Sequence, residues 1–167
     1  MRKIALVVIA LVASLNLHAD ILDLSDSKND VSSNLLTQRF FESMGLDVIS
    51  KSDETFGLRA GGYNILLYPQ TTKDNGDLIV ATIMFKGVGK SNSSSDALQM
   101  LLGKANHEFN YLTCYVEDDG DIIVRYTLLF DKKLEPKTVN KWLRRIEVQT
   151  DTFIKDFGDR VRPYIKE

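Results

Sequence analysis

The sequence predicts an α+β protein: a single antiparallel sheet of about five strands covered by three helices, in the order α-β-β-β-α-β-β-α. Three observations predict it. Asp118-Asp119-Gly120 is turn chemistry between two runs that alternate with period two, which is the pattern of a β-hairpin. Strand-like runs are clustered behind short polar connections instead of alternating singly with helices, so neighbouring strands are antiparallel. Three further stretches repeat apolar residues at three- and four-residue steps, the spacing of a helix that buries one stripe.

The chain has 167 residues and opens on Arg2-Lys3, an apolar run from Ile4 to Leu15, and Leu17-His18-Ala19 ahead of Asp20. That is the layout of a secretory leader with its cleavage site, so residues 1–19 read as a bacterial signal peptide. A membrane anchor would need about 20 apolar residues, and Asn16, His18 and Asp20 interrupt the run too early. We therefore expect a periplasmic or secreted protein with no stable membrane anchor after cleavage. Residues 20–31 are rich in Asp, Ser and Asn and read as a flexible lead-in.

The first helix is expected from a Ser32 or Ser33 cap through Met44, with Leu36, Phe40 and Met44 four apart and Leu35 and Phe41 widening the stripe; Gly45 would stop it. Strand-like runs follow at Asp47 to Lys51, Thr55 to Ala60, Tyr63 to Tyr68 and Leu78 to Phe85, broken by Gly61-Gly62 and the polar turn 72–77. Leu78 to Phe85 is apolar on both sides and suits an interior strand. A Ser/Asn-rich loop leads to a second helix over about 96–109, with Leu98, Leu101, Leu102 and Ala105 on one stripe. In the hairpin, Leu112, Cys114 and Val116 share a face on the first arm, as do Ile122, Val124, Tyr126, Leu128 and Phe130 on the second. Pro136 sits where a first-turn proline belongs and opens the third helix, along which Val139, Trp142, Leu143, Ile146, Phe153 and Phe157 recur. Gly158 is its expected end. The folded domain thus spans 32–160, with 161–167 as a tail.

Composition limits the chemistry. Removing Arg2 and Lys3 from 21 basic residues against 23 acidic ones leaves a net charge near −4, the wrong sign for nucleic-acid binding. The only cysteine, Cys114, cannot form an internal disulfide and reads as a small buried hydrophobe. Gly87-Val88-Gly89-Lys90-Ser91 copies the end of a phosphate-binding loop, but the glycine required five residues before Gly89 is Met84. Glu117, Asp118, Asp119 and Asp121 gather carboxylates around Gly120 without the spacing of a twelve-residue calcium loop. After the leader, His107 is the only histidine. No acid, base and nucleophile set assembles, and no metal or cofactor is called for.

From Leu101 to Phe157 the chain resembles the YbjN family. The features that carry the likeness are Asn106 and Asn110 at a helix end, the aromatic strand Tyr111 to Val116, the Asp118-Asp119-Gly120 turn, the apolar strand Ile122 to Phe130, and Trp142 to Phe157 in the closing helix. The helix ending at Met44-Gly45, followed by a three-strand meander, extends the likeness in element order over nearly all of the mature chain. Ala105 stands where many relatives have tryptophan, and their cysteine pair is missing. The resemblance implies a fold like that of type III secretion chaperones and a non-enzymatic regulatory or chaperone-like binding module. A protein partner or self-association would then use an apolar sheet surface or an exposed strand edge. Tyr63, Ile65, Leu67, Ile123 and Leu129 are the candidate surface residues, and Asn106 and Asn110 are candidate partner contacts besides capping. The alternative is a carrier of a small apolar ligand held between sheet and third helix near Trp142, Phe153 and Phe157.

Overall fold

The turn at Asp118-Asp119-Gly120 forms as its residue types require, with Gly120 at φ +94° and its N–H donated to the Glu117 carbonyl at 2.9 Å. From it the hairpin runs in the register Val116 to Ile122, Tyr115 to Ile123, Cys114 to Val124 and Thr113 to Arg125. The computed structural model describes residues 21–166 apart from 26, 28 and 72–75; the leader expected over 1–19 lies outside the described residues. In chain order the elements are β1 (Leu22–Asp23), α1 (Asp30–Ser43), β2 (Asp47–Lys51), β3 (Phe56–Ala60), β4 (Tyr63–Thr71), β5 (Asp77–Phe85), α2 (Asp96–Glu108), β6 (Thr113–Val116), β7 (Ile122–Phe130), β8 (Lys133–Leu134) and α3 (Pro136–Val161). Short 3-10 turns cover Lys90–Asn92 and Arg162–Tyr164.

The α+β class, the antiparallel pairing and the three helices are as expected, but the strand count is not. The main sheet has six strands, ordered β2-β3-β4-β5-β7-β6, and β1 and β8 make a separate pair. The meander after α1 has four strands, because the polar run Asp47–Lys51 does pair, along β3, despite a register shift between Val48 and Ser50. Leu78 to Phe85 is interior as expected, lying between β4 and β7.

All three helices pack on one face of this sheet. A row such as Phe56, Leu67, Ala81 and Tyr126, matched across β3, β4, β5 and β7, is at most 2 % exposed. These residues join Phe40 and Phe41 of α1, Leu98, Leu102 and Ala105 of α2, and Val139, Trp142, Leu143, Ile146, Phe153 and Phe157 of α3 in one apolar cluster. Phe153 stacks on Phe157 with centroids 5.7 Å apart, and the Tyr126 hydroxyl, brought into that layer, is satisfied by Thr150 Oγ1 at 2.8 Å.

Several boundaries move for physical reasons. Helix α1 starts earlier than expected because Asn29 is the cap: its side chain accepts the Ser32 N–H at 2.9 Å, and the Ser32 side chain answers in a capping box. Its buried side is also partly polar. Ser33, Asn34, Thr37 and Gln38 are buried while Leu35 is exposed; the Asn34 and Gln38 amides both donate to the Ser52 carbonyl. Within the stretch read as a flexible lead-in, Leu22 and Leu24 are buried and Leu22–Asp23 pairs with Lys133–Leu134. Gly158 does not end α3, which runs on to Val161, itself buried. The tail is held too: Val88 donates to the Tyr164 carbonyl and Lys166 to the Lys86 carbonyl.

Candidate functional site

Because side chains alternate along a strand, the residues one step from each core row lie on the side where the described residues place no helix. The row Gly57, Leu66, Thr82 and Arg125 is the immediate neighbour of the core row above. Beside it stand Tyr68, Val80, Met84, Tyr115, Ile123 and Leu129. None of these six belongs to the apolar cluster under the helices. Met84 is 43 % exposed, Leu129 67 %, and Ile49 at the β2 margin 39 %, a concentration of apolar surface that a soluble sheet face does not need.

Two hollows are cut into this face. One, of about 250 Å³, is lined by Ile49, Ser50, Gly57, Asn64, Leu66 and Met84 among others. The second, of about 270 Å³, lies among Tyr68, Val80, Tyr115, Glu117, Ile123 and Arg125. In it the Arg125 guanidinium sits 4.9 Å from the centre of the Tyr115 ring and donates to the Tyr115 hydroxyl at 2.5 Å. Burial, and then the Glu117 carboxylate, hold the Tyr68 phenol above its ordinary pKa. The arrangement offers apolar floor, hydroxyls and one charge of each sign, which suits recognition and supplies no nucleophile with its base.

The candidate residues named from the sequence divide between the two sides. Ile123 and Leu129 are on the helix-free face, though Ile123 is fully buried between its register neighbours Tyr115 and Met84 and only Leu129 is open. Ile65 and Leu67 are buried beneath the helices, though Ile65 also borders the first hollow. Tyr63 shares their side, half-buried, with its hydroxyl donated to Asp151; burial first and that carboxylate second push its pKa up to about 12. The residues of β4 that do face outward are Asn64, Leu66, Tyr68 and Gln70. Since β4 is apolar on both sides, the alternation could not say which set was inside; the pairing with β5 decides it.

Trp142, Phe153 and Phe157 are core. Asn110 is exposed. Asn106 is spent on structure: its side chain donates to the Cys114 carbonyl at 2.9 Å and accepts the Cys114 N–H at 2.6 Å. On the edge strand β6 that amide takes the place an added strand would occupy, so this one of the sheet's two edges is closed at its centre. Burial pushes the Cys114 thiol up to about 12, so it stays protonated and unreactive.

The chain belongs to the YbjN family. The profile of that family, described as "Putative bacterial sensory transduction regulator", matches residues 36–159. A solved structure with the same fold is "YbjN, a putative transcription regulator from E. coli", at a TM-score of 0.58 and 12 % identity, covering 78 % of this chain and 93 % of that one. No curated protein sequence matches the chain.

Within this YbjN fold the two motifs that invited other readings serve one corner. The Gly87 N–H is donated to Asp121 Oδ1 at 2.9 Å and Lys86 Nζ lies 2.5 Å from Asp121 Oδ2. The Asn92 side chain donates to the carbonyls of Gly120 and Tyr164, at 2.9 and 2.6 Å. A Cβ on Gly87 would overlap the Gly120 carbonyl oxygen, and one on Gly120 the Gly89 carbonyl oxygen. The glycines of Gly87-Val88-Gly89-Lys90-Ser91 thus permit two backbones to cross, and its first two amides are already bonded to Asp121 and Tyr164. The Lys86 ammonium, then the Gly87 N–H, hold the Asp121 carboxyl below its usual range. His107 is exposed in the last turn of α2. Among the described residues no three His, Cys, Asp or Glu side chains gather as metal ligands, and no helix is long and apolar enough to cross a membrane.

Proposed function

We propose that the chain is an exported, non-enzymatic protein-binding module of the YbjN family, chaperone-like or regulatory in role, whose working surface is the helix-free face of the six-stranded sheet. The observation that carries this reading is a face lined by Leu66, Tyr68, Met84, Tyr115 and Leu129 that no helix among the described residues covers. Apolar and tyrosine side chains held on a rigid sheet lose little freedom when a partner covers them, which makes them efficient anchors. The family's description as a regulator agrees with binding in place of catalysis. Export to the periplasm or beyond is supported by Arg2-Lys3 and the apolar run Ile4 to Leu15. Photo-crosslinking side chains placed at Met84 and Leu129 should give protein adducts in the native compartment. The same probe at Val148, exposed on α3, should give none. Adducts absent from both sheet positions would defeat this reading.

A second reading, carriage of a small apolar ligand, is supported by a hollow of about 200 Å³ between the end of α3 and the tail. It is lined by Phe85, Phe153, Ile154, Val161 and Ile165 among others. Native mass spectrometry of the purified protein decides it: a retained small molecule supports carriage, and a bare chain excludes it.

A further inference from the structure

We infer that the occupant of the helix-free face is a second copy of this chain, related by a two-fold axis over the Tyr115–Ile123 pair, so that Arg125 of each copy meets Glu117 of the other. The inference rests on the reading that this face is the working surface. It goes further by naming the partner.

The register supplies the geometry. Arg125 pairs with Thr113, Ile123 with Tyr115, and the Glu117 N–H is donated to the Asp121 carbonyl, so Glu117 lies four positions along β6 from the level of Arg125. At about 3.3 Å per residue that is about 13 Å, with Tyr115 and Ile123 midway. Both charged residues are exposed, and among the described residues neither has an oppositely charged side chain within 4 Å. Neighbouring charges are already paired: Asp47 with Arg59 at 3.8 Å, and Lys86, the cation that also feels Glu117, with Asp121 at 2.5 Å.

A two-fold interface requires each patch to be complementary to itself: whatever one copy offers on one side of the axis, it must accept on the other. One unspent cation and one unspent anion flanking an apolar, aromatic centre meet that requirement. A purely acidic or purely basic partner would satisfy one charge and strand its opposite in a drying interface, which costs more than leaving it in water. The competing route, strand addition at β6, is closed at Cys114 by the Asn106 amide.

Sedimentation of the purified protein tests this with three variants: Arg125→Glu, Glu117→Arg and the two together. The wild type should be a dimer in the micromolar range. Each single reversal sets like charges against each other twice and should weaken the dimer at least about tenfold, while the double exchange should return it to near the wild-type constant. All three replace exposed side chains, and an unchanged circular dichroism spectrum verifies their fold. A monomeric wild type overturns the inference, as does a dimer indifferent to the single reversals or one the double exchange fails to restore. If the protein is monomeric but probes at Met84 and Leu129 still capture another protein, the second copy is wrong and the docking face stands. With neither dimer nor adducts, both fall.

Discussion

The two faces of the six-stranded sheet are made from the same strands and differ by a single residue step. Phe56, Leu67, Ala81 and Tyr126 are sealed under three helices, whereas their chain neighbours Gly57, Leu66, Thr82 and Arg125 form a row with no helix above it among the described residues. The covered face is almost wholly apolar, while the open one mixes apolar and tyrosine side chains with Asn64, Gln70, Thr82, Thr113 and Thr127. What separates them further is closure: α1, α2 and α3 lay their buried sides, partly polar in α1, on one face alone. Burial at about 25 cal/mol per Å² therefore stabilises the fold on one face and remains available to a partner on the other.

The strongest test of that contrast is a pair of truncations. Phe153→Ala removes a ring stacked in the covered layer and should cost about 3–5 kcal/mol in urea unfolding, whereas Leu129→Ala on the open face should, at concentrations where the chain is monomeric, stay within about 0.5 kcal/mol. Equal losses would mean that the open face is part of a core after all. Next comes the crossing at the end of the sheet. Gly87→Ala must push two backbones apart and should cost about 1–3 kcal/mol. Gly103→Ala, in the middle of α2 with open space around it, should instead stabilise by about 0.5–1 kcal/mol. If both behave alike, the packing of Gly87 on the Gly120 carbonyl is not real.

Much of this was legible in the chain, and the exceptions share a cause. The hairpin, the interior strand β5, the Pro136 start and the stripe of α3 are periodic or local signals, and each formed where the pattern put it. The face assignment of Tyr63, Ile65 and Leu67 failed because β4 is apolar at odd and even positions alike, and inside is then set by register with β5, a long-range fact. Helix α1 failed differently. Leu35 looked like part of its stripe, but Asn34 and Gln38 turn inward to reach the Ser52 carbonyl, and that partner is not visible in a helical wheel. The roles of Gly87 and Asn106 depend on contacts with Gly120 and Cys114, across loops and strands that local spacing does not relate.

Asn106 gives the comparison a third term, the edge between the two faces. Asn106→Ala leaves the Cys114 N–H and carbonyl without their side-chain partner and should cost about 1–3 kcal/mol. It should also reopen β6 to strand addition, so light scattering should detect concentration-dependent association beyond any dimer. Unchanged stability and solubility would show that the amide plugs nothing.

The smallest effect belongs to Asp121, and it distinguishes spent charge from the unspent charge of the open face. Its carboxyl is held below the usual range by the Lys86 ammonium and then by the Gly87 N–H, so the folded state prefers the ionised form. The sign follows from that depression. The contribution is complete above the unfolded value, about 3.9, and is lost as pH falls through the lower folded one. Asp121→Asn removes this dependence while keeping an oxygen that can accept from Gly87. The stability gap between the wild type and Asp121→Asn should therefore be widest near pH 6 and narrow as pH is lowered toward 2 in a series of urea midpoints. A constant gap for Asp121→Asn would mean that Lys86 gives that carboxylate nothing, and that the corner is held by its backbone bonds alone.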